Sequence, residues 1–470
     1  MRRLLVPAIL AALALSSALA GLRAGPPAIS GGGGEVGLAA AALEAPLLSP
    51  RRAPALLVEP IGRARLVQAL HEISITGPDA ACLVVTQADQ VLYEHQADLA
   101  LAPASGLKLL TGSAVLAHLD PGERLRTTVQ VAAPPAGGVV EGDLWLVGGG
   151  DPVLGTAAWA AHFSRQPALF TSLEELADRV ADAGVAEVRG RVVGDDSRYD
   201  SVRAVPSWPA RYLQENQVGP LSALSVNDGF AVWEGRRETF ADPPAGAAGV
   251  LTDLLRQRGV TVAGDPASGQ APADAVTLAG VDSPPVAELV AQLLRESDNG
   301  TAELLVKELG LRVAGEGSTA AGTRVVAETV AGMGLPTEGL VVVDGSGLDP
   351  DNRVTCRLLH AVLHASNDGG PLREGLPVAG TSGTLSERLL DDTLSGQVRA
   401  KTGSIRGVAS LSGFAVTRGD FDLTFSFILN GISRFGDAIP LQEHLARALV
   451  RHPDIPQLDE IGPGSYPEAA

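Results

Sequence analysis

The sequence has few aromatic residues, few cysteines and little basic charge. Aromatic residues make up 4% of the 470 residues, so the core must be built from Ala, Val and Leu. Cys82 and Cys356 are the only cysteines, too few for a cysteine-rich zinc module. They permit either one disulfide in an oxidising compartment or two buried thiols. The net charge of −18 argues against a nucleic-acid partner, because binding phosphates requires clustered Lys and Arg.

The remaining composition is typical of a folded, multidomain protein. Apolar residues make up 45% and charged residues 19% of the chain, which excludes a disordered protein. A length of 470 residues exceeds one ordinary hydrophobic core and favours two or three domains.

Long apolar runs are also scarce, and the one that exists lies at the N-terminus. Arg2 and Arg3 precede an apolar run at 4–15, and Ala18-Leu19-Ala20 follows it. This order is typical of a secretory signal peptide and predicts an exported, extracytoplasmic protein. An uncleaved membrane anchor at 4–20 stays open as the alternative. We therefore expect a signal peptide or anchor at 1–20.

The composition and the predicted strands and helices along the chain indicate a split domain. Gly, Pro and Ala dominate 21–62, which indicates a flexible linker. Short β-like runs and one helical run fill 126–279 and predict an inserted module of one or two subdomains. The expected parts are a domain at 63–125 and 280–455, and a tail at 456–470. The split domain contains a predicted hairpin at 81–93, helices at 105–119, 285–314, 319–332 and 437–450, and strands at 397–402, 407–416 and 421–430.

A serine and a lysine are spaced for nucleophilic catalysis. Ser105-Gly106-Leu107-Lys108 opens a predicted helix, and the i to i+3 spacing places both side chains on one face. A serine hydroxyl needs a neighbouring base, which a partly desolvated lysine amine supplies. The pattern alone is weak. However, Lys108, Lys307 and Lys401 are the only lysines, and arginine, used for every other basic residue, does not release its proton.

Two further motifs follow Lys108 along the chain. Ser297-Asp298-Asn299 precedes a helical run, where a plain helix cap is the competing interpretation. Lys401-Thr402-Gly403 lies in a strand-like run, with Ser404 next; its glycine permits close approach of a substrate backbone. An ordinary strand with an exposed lysine is the competing interpretation there. In this order, Ser-x-x-Lys, Ser-Asp-Asn and Lys-Thr-Gly form the signature shared by penicillin-binding proteins and class A β-lactamases.

Further stretches extend the likeness beyond these motifs. The chain resembles the D-alanyl-D-alanine carboxypeptidase/endopeptidase family, the class C low-molecular-mass penicillin-binding proteins. About 190 residues separate Ser105 from Ser297, which leaves room for an insertion that class A β-lactamases lack. Nor does the sequence contain the Glu-x-x-Leu-Asn loop of those enzymes. The stretches that carry the resemblance are 103–105, 108–111, 142–152, 221–227, 344–348, 376–380 and 383–385.

The resemblance implies a fold and an activity. The expected fold is α+β: a serine β-lactamase/transpeptidase-like domain, an antiparallel sheet flanked by helices, with a large inserted β-rich module. The implied activity is that of a serine D-Ala-D-Ala carboxypeptidase acting on peptidoglycan stem peptides, with endopeptidase cleavage left open. β-Lactams are expected to inhibit it, and neither a cofactor nor a metal is expected. A catalytically weak scaffold of the cell wall, with the same fold, is the alternative.

The resemblance also implies roles for the motif residues. Ser105 is the nucleophile, Lys108 its base and Ser297 a proton relay to the leaving amine. The expected substrate-binding residues are Asn299, Lys401, Thr402, Gly403 and Ser404.

Two features depart from or extend this pattern. Asp349-Pro350 stands where the family commonly has Ser-Arg, so recognition differs here or uses Arg353. Asp196, beside Asp195 in the inserted module, is a candidate carboxylate for the amino group of the peptide's diamino acid. A plain turn is the alternative for this pair.

Overall fold

The computed structural model describes residues 53–454, apart from positions 236, 367 and 368. The predicted signal peptide or anchor, the linker up to residue 52 and the tail lie outside the described residues. No helix within the described range is both long enough and apolar enough to cross a membrane.

The N-terminal part of the split domain begins with a long helix. Leu66, Leu70 and Ile73 recur at helical spacing on this helix and are buried, which anchors it to the domain. Residues 53–62, which the sequence assigned to the linker, form the first part of this helix, so the linker prediction is corrected there. The elements of this part are α1 Ala53–Thr76, β1 Ala81–Gln87, β2 Gln90–His95, a 3-10 turn Ala104–Leu107 and α2 Lys108–His118.

Among the described residues, the inserted module contains a five-stranded sheet, a three-stranded sheet, two two-stranded sheets and two substantial helices. Its strands are β3 Arg126–Val131, β4 Val139–Val140, β5 Leu144–Val147, β6 Leu154–Gly155, β7 Thr171–Ser172, β8 Glu187–Val188, β9 Val192–Asp195, β10 Phe230–Val232, β11 Glu238–Thr239, β12 Thr261–Val262, β13 Ala267–Ser268 and β14 Val276–Asp282. Its helices are α3 Ala157–His162, α4 Leu173–Asp182, α5 Arg211–Gln214 and α6 Pro243–Gln257. Its five-stranded sheet has the order β13-β9-β5-β3-β14 and its three-stranded sheet β12-β8-β4.

The sequence did not predict α6. The Asp242 side chain caps its start, and Ala247, Leu251 and Leu255 bury one face in the module core. β14 pairs with β3 and belongs to the module sheet, so the module extends to Asp282 and not only to 279.

The C-terminal part of the split domain is mainly helical until its three long strands. Its elements are α7 Val286–Arg295, α8 Asn299–Ala314, α9 Thr319–Gly332, α10 Cys356–His364, α11 Pro371–Glu374, a 3-10 turn Gly383–Leu385, β15 Val398–Ile405, β16 Val408–Val416, β17 Asp422–Asn430 and α12 Phe435–Arg451. The expected helical run at 285–314 is broken in two at residues 296–298.

A five-stranded antiparallel sheet joins the two parts of the split domain. Its order is β15-β16-β17-β1-β2, so the N-terminal hairpin extends the C-terminal strands. α10 packs on one face, where α2, α7, α8 and α9 continue the same hydrophobic core, and α1 and α12 share the core on the other face. The fold is therefore α+β, with an antiparallel sheet between helices, as predicted. Of the two possibilities left open for the cysteines, the structure shows the disulfide: Cys82 on β1 is bonded to Cys356 on α10.

Candidate active site

Ser105 lies in the 3-10 turn that leads into α2. Lys108 begins α2, and its Nζ atom lies 3.2 Å from Ser105 Oγ. The turn is held from the sheet, since Ser410 Oγ on β16 donates a 2.7 Å hydrogen bond to the Pro103 carbonyl. The i to i+3 spacing thus produces the expected contact between the Ser105 hydroxyl and the Lys108 amine.

The surroundings of Lys108 make its neutral amine easier to form than that of an exposed lysine. Its side chain is fully buried, and Nζ also donates to Asn299 Oδ1 and to the Ser346 carbonyl, both at 2.7 Å. Both carbonyl oxygens are acceptors only, so a neutral amine spends its two N–H bonds on them and leaves its lone pair for the Ser105 hydroxyl. Burial lowers the Lys108 pKa to about 8, against the opposing charges of Asp344, Glu303 and Asp298.

The second motif lies at the break between α7 and α8. Asp298 caps α8, with Oδ1 accepting from the Thr301 backbone N–H at 3.0 Å and Oδ2 accepting from Thr301 Oγ1 at 2.9 Å. Capping is therefore the task of Asp298, which leaves Ser297 and Asn299 for other roles. Asn299 reaches Lys108 with its oxygen and donates from Nδ2 to the Gln217 carbonyl of the inserted module at 2.8 Å.

Ser297 has an unusual backbone conformation. Its φ is 60°, in the left-handed region that non-glycine residues seldom adopt. Such strain persists only where the surrounding structure enforces it, and it concentrates at functional sites. Ser297 lies two residues before Asn299, but no hydrogen bond between its side chain and another described residue was found.

The third motif forms part of β15, beside the Ser105 turn. Lys401 is fully buried, and its Nζ donates to the Thr402 carbonyl at 2.8 Å. Burial, and to a smaller extent the charge of Lys108, holds the pKa of Lys401 well below its usual range. Thr402 Oγ1 is hydrogen-bonded to Thr384 Oγ1 at 2.7 Å. Ser404, two residues further along the strand, is exposed.

Gly403 shows how closely the strand and the turn approach each other. A Cβ atom at this position would lie 2.8 Å from the Pro103 carbonyl oxygen and 3.0 Å from the Gly106 backbone nitrogen. Both residues flank Ser105, so the strand of the third motif lies directly against the Ser105 turn.

Asp196 forms its hydrogen bonds within the inserted module. Its Oδ2 accepts from Arg203 Nη1 at 2.5 Å and from Ser222 Oγ at 2.7 Å, and both partners belong to the inserted module. Arg203 therefore already balances the carboxylate charge, which favours the plain structural interpretation of the Asp195-Asp196 pair.

The Asp349-Pro350 departure lies in a well-bonded loop. Asp349 Oδ2 accepts from Ser207 Oγ at 2.5 Å, which ties this loop to the inserted module. Arg353 donates to the Pro350 carbonyl at 2.6 Å and to the Asn352 carbonyl at 2.8 Å. Both contacts stay within the loop, so Arg353 stabilises its own segment.

Sequence reasoning missed several groups around Lys108. The Ser346 carbonyl and the Gln217 carbonyl are backbone atoms, and no residue type in the sequence marks them. Glu303, four residues after Asn299 on α8, is fully buried. Its only mark in the sequence is a carboxylate beside apolar residues of a predicted helix, where a buried charge is rare.

Comparison with known proteins places these features in a family. The D-Ala-D-Ala carboxypeptidase 3 (S13) family profile matches residues 63–243 and 234–443. The chain is 31% identical over 445 residues to a D-alanyl-D-alanine carboxypeptidase from an Actinomadura species, covering 77% of this chain and 80% of that one. It is 32% identical over 384 residues to carboxypeptidase DacB of Mycolicibacterium smegmatis, covering 77% of this chain and 79% of the other.

A solved structure shows the same fold. Penicillin binding protein 4 (dacB) from Haemophilus influenzae superposes with a TM-score of 0.69 at 20% identity, over 80% of this chain and 98% of that one. The family match spans both parts of the split domain and the module between them, and it includes all three motifs around Ser105. The chain therefore belongs to the D-Ala-D-Ala carboxypeptidase 3 (S13) family.

Proposed function

We propose that this chain is a serine D-Ala-D-Ala carboxypeptidase that acts on peptidoglycan stem peptides through an acyl-enzyme on Ser105. The observation that carries the proposal is the buried Lys108 amine, 3.2 Å from Ser105 Oγ and bonded on its other sides to two carbonyl oxygens. A site of this kind takes the hydroxyl proton of serine at near-neutral pH.

In the acylation step, Ser105 Oγ forms a bond to the carbonyl carbon between the two terminal D-alanines. The hydroxyl proton passes to Lys108 Nζ. The backbone N–H groups of Ser105 and Ser404 then bind the oxyanion, as the family resemblance implies. When the intermediate collapses, the C–N bond breaks and the leaving amine of D-alanine takes up a proton, which Ser297 relays.

Binding of the substrate uses the other motif residues. Asn299 binds the amide on the acyl side, while Lys401 and Thr402 hold the terminal carboxylate and Gly403 lets the peptide backbone approach β15. The strand position of Gly403 beside the nucleophile turn supports this arrangement. Water then hydrolyses the ester, which frees Ser105 and the shortened peptide. Each step uses side-chain and backbone groups of the chain, without a cofactor or metal.

The place of action follows from the substrate. A peptidoglycan peptidase works outside the cytoplasm, and the basic and apolar N-terminal segment supports export. We also keep attachment through residues 4–20 as part of the proposal, because an uncleaved segment would hold the enzyme at the membrane.

The first test is covalent labelling. Purified protein is treated with a fluorescent penicillin, and mass spectrometry locates the modified residue; a β-lactam mimics the D-Ala-D-Ala amide and should acylate Ser105. Ser105→Ala should remove the label completely while leaving the thermal unfolding midpoint near that of the parent protein. Continued labelling of Ser105→Ala would refute the assignment of the nucleophile.

The second test separates the enzyme from a scaffold. Release of D-alanine from diacetyl-Lys-D-Ala-D-Ala is measured while the enzyme concentration is increased. A carboxypeptidase releases D-alanine in proportion to enzyme, and a catalytically weak scaffold releases none at any concentration. Cross-linked muropeptides used as a parallel substrate show whether endopeptidase cleavage also occurs.

A further inference from the structure

The Ser346 carbonyl that binds Lys108 belongs to a buried turn. Asp344 organises this turn, with its carboxylate accepting from the backbone N–H of Gly347 at 2.8 Å and of Asp349 at 2.6 Å. Thr111 Oγ1, one turn after Lys108 on α2, donates to the Gly345 carbonyl at 2.7 Å. The turn therefore reaches the lysine helix by two contacts, one of them with the lysine itself.

Glu303 holds the other side of the same turn. Its Oε1 accepts from the backbone N–H groups of Gly345 at 3.0 Å and of Ser346 at 2.7 Å. The turn also packs tightly on α8, since a Cβ atom at Gly345 would lie 2.5 Å from Val306 Cγ2. The nitrogen and the carbonyl oxygen of Ser346 thus connect Glu303 to Lys108.

One helix consequently controls two contacts of the base. Asn299 contacts Lys108 Nζ directly, and Glu303, one helical turn later, reaches it through the Ser346 backbone. Because the two N–H bonds of the neutral amine point at these oxygen acceptors, its lone pair faces Ser105.

We propose that Glu303 is a positioning residue for acylation, which holds the Ser346 carbonyl so that the Lys108 amine is directed at Ser105. The inference rests on the proposed role of Lys108 as the base. Glu303 itself contacts neither the substrate nor the reacting atoms; it acts through the turn.

The charge of Glu303 should affect the pH dependence of acylation. Its Oε2 is buried and has no hydrogen-bond partner among the residues that the structure describes. Burial and the neighbouring Asp344 raise the pKa of Glu303 to about 8, while the Lys108 ammonium lowers it. The other charged groups that act on Lys108 are Asp344, Asp298 and Lys401.

The sign of the effect follows from this arrangement. An ionised Glu303 favours the ammonium form of Lys108 and raises the lysine pKa. A glutamine at 303 keeps an oxygen that accepts the two N–H bonds, but it never carries the negative charge. Glu303→Gln should therefore lower the Lys108 pKa and make the neutral amine available at lower pH.

The experiment compares three variants with the parent protein. The second-order rate of acylation by a fluorescent penicillin is measured for Glu303→Gln, Glu303→Ala and the control Glu308→Gln between about pH 6 and pH 10. Glu308 is also fully buried on α8, but its carboxylate pairs with Arg198 and Tyr199 of the inserted module. Circular dichroism verifies that each variant folds.

The expected results differ for each variant. Glu303→Ala should lose about 100-fold in acylation rate, because a displacement of the base by about 1 Å typically costs that factor. Glu303→Gln should recover most of that rate and shift the rising limb of its pH profile to lower pH. Glu308→Gln should keep the parent profile.

Three outcomes would overturn the inference: an unchanged rate for Glu303→Ala, a rate for Glu303→Gln as low as that for Glu303→Ala, or an unshifted profile for Glu303→Gln. If Glu303→Ala does not fold, the direction in which the pH profile of Glu303→Gln shifts tests the inference: a shift to lower pH supports it, and any other result contradicts it. Failure of the proposed function is distinguishable, since the parent protein itself would then not be acylated at Ser105.

Discussion

At the scale of single residues, the chain uses the same residue type in two different ways. Its three lysines are all buried, at most 1% exposed. Lys307 pairs with the carboxylate of Asp200 and so keeps a counter-charge. Lys108 and Lys401 donate to uncharged oxygens, so their ammonium forms lose hydration without full compensation and their pKa values fall.

A pH dependence follows for Lys108. Because its pKa is about 8, the neutral amine is scarce below that pH and predominates above it. The penicillin acylation rate should rise with pH and level off above about 8. Stopped-flow fluorescence at each pH measures this rate. A flat profile across the same range would contradict the role of Lys108 as base.

Lys108→Arg tests whether acylation needs a neutral amine at this position, because arginine keeps the positive charge but does not deprotonate. Arginine stays protonated throughout the accessible pH range, so it accepts no proton from Ser105. The acylation rate should fall by about 10² to 10⁴-fold, without recovery at high pH. Thermal unfolding serves as the folding control, and a variant that recovers activity at high pH would argue for a different base.

At the scale of elements, the site depends on the fit between β15 and the Ser105 turn. β15 pairs with β16 along its whole length, from Val398 with Ala415 to Ile405 with Val408, so its position is fixed by the sheet. The turn is fixed by its hydrogen bond from Ser410 on β16. Moving β15 away from the turn would break its pairing with β16, and moving the turn away would break its hydrogen bond from Ser410.

Gly403→Ala tests this fit. The new methyl group would lie 2.2 Å from Ser410 Oγ, 2.8 Å from the Pro103 carbonyl oxygen and 3.0 Å from the Gly106 nitrogen, which must displace the turn. We expect the acylation rate to fall by about 10 to 100-fold, as for a small misplacement of the nucleophile. Gly436→Ala is the matched control, because no atom lies within 4 Å of its Cβ position. Equal rates for both variants would show that the contact has no catalytic consequence.

At the scale of the whole molecule, distant parts of the chain are joined at the central sheet. β1 pairs with β17, although the complete module lies between them in sequence. The Cys82–Cys356 disulfide closes a sequence separation of 274 residues and links β1 to α10. The module is held by α8, where Lys307 contacts Asp200 and Glu308 contacts Arg198.

The disulfide should therefore act on stability and leave the chemistry intact. A cross-link over a long loop lowers the entropy of the unfolded chain, and its removal typically costs about 2–4 kcal/mol. Replacing both Cys82 and Cys356 by Ala should lower the unfolding midpoint in urea, while folded protein still labels with penicillin at Ser105. The parent protein under a reducing agent should behave as the double variant does. An unchanged midpoint would contradict a stabilising role.

The sequence by itself determined the parts that depend on short-range geometry. The i to i+3 spacing of Ser105 and Lys108 brings the two side chains together once a helical turn begins there, and short strand-like runs predict β15, β16 and β17. The three motifs, together with the further family-like stretches and the long spacing between Ser105 and Ser297, were enough to identify the family and, through it, the α+β fold. These features need only neighbours in sequence, so they can be read without coordinates.

The tertiary structure alone decided what surrounds Lys108. Lys108 lies 191 residues from Asn299 and 238 from Ser346, and backbone carbonyls such as those of Ser346 and Gln217 leave no mark in residue type. The same holds for the disulfide, for the helix at 53–62 and for the pairing of Asp196 with Arg203. Each depends on which distant surfaces meet when the chain closes, and local sequence carries no such information.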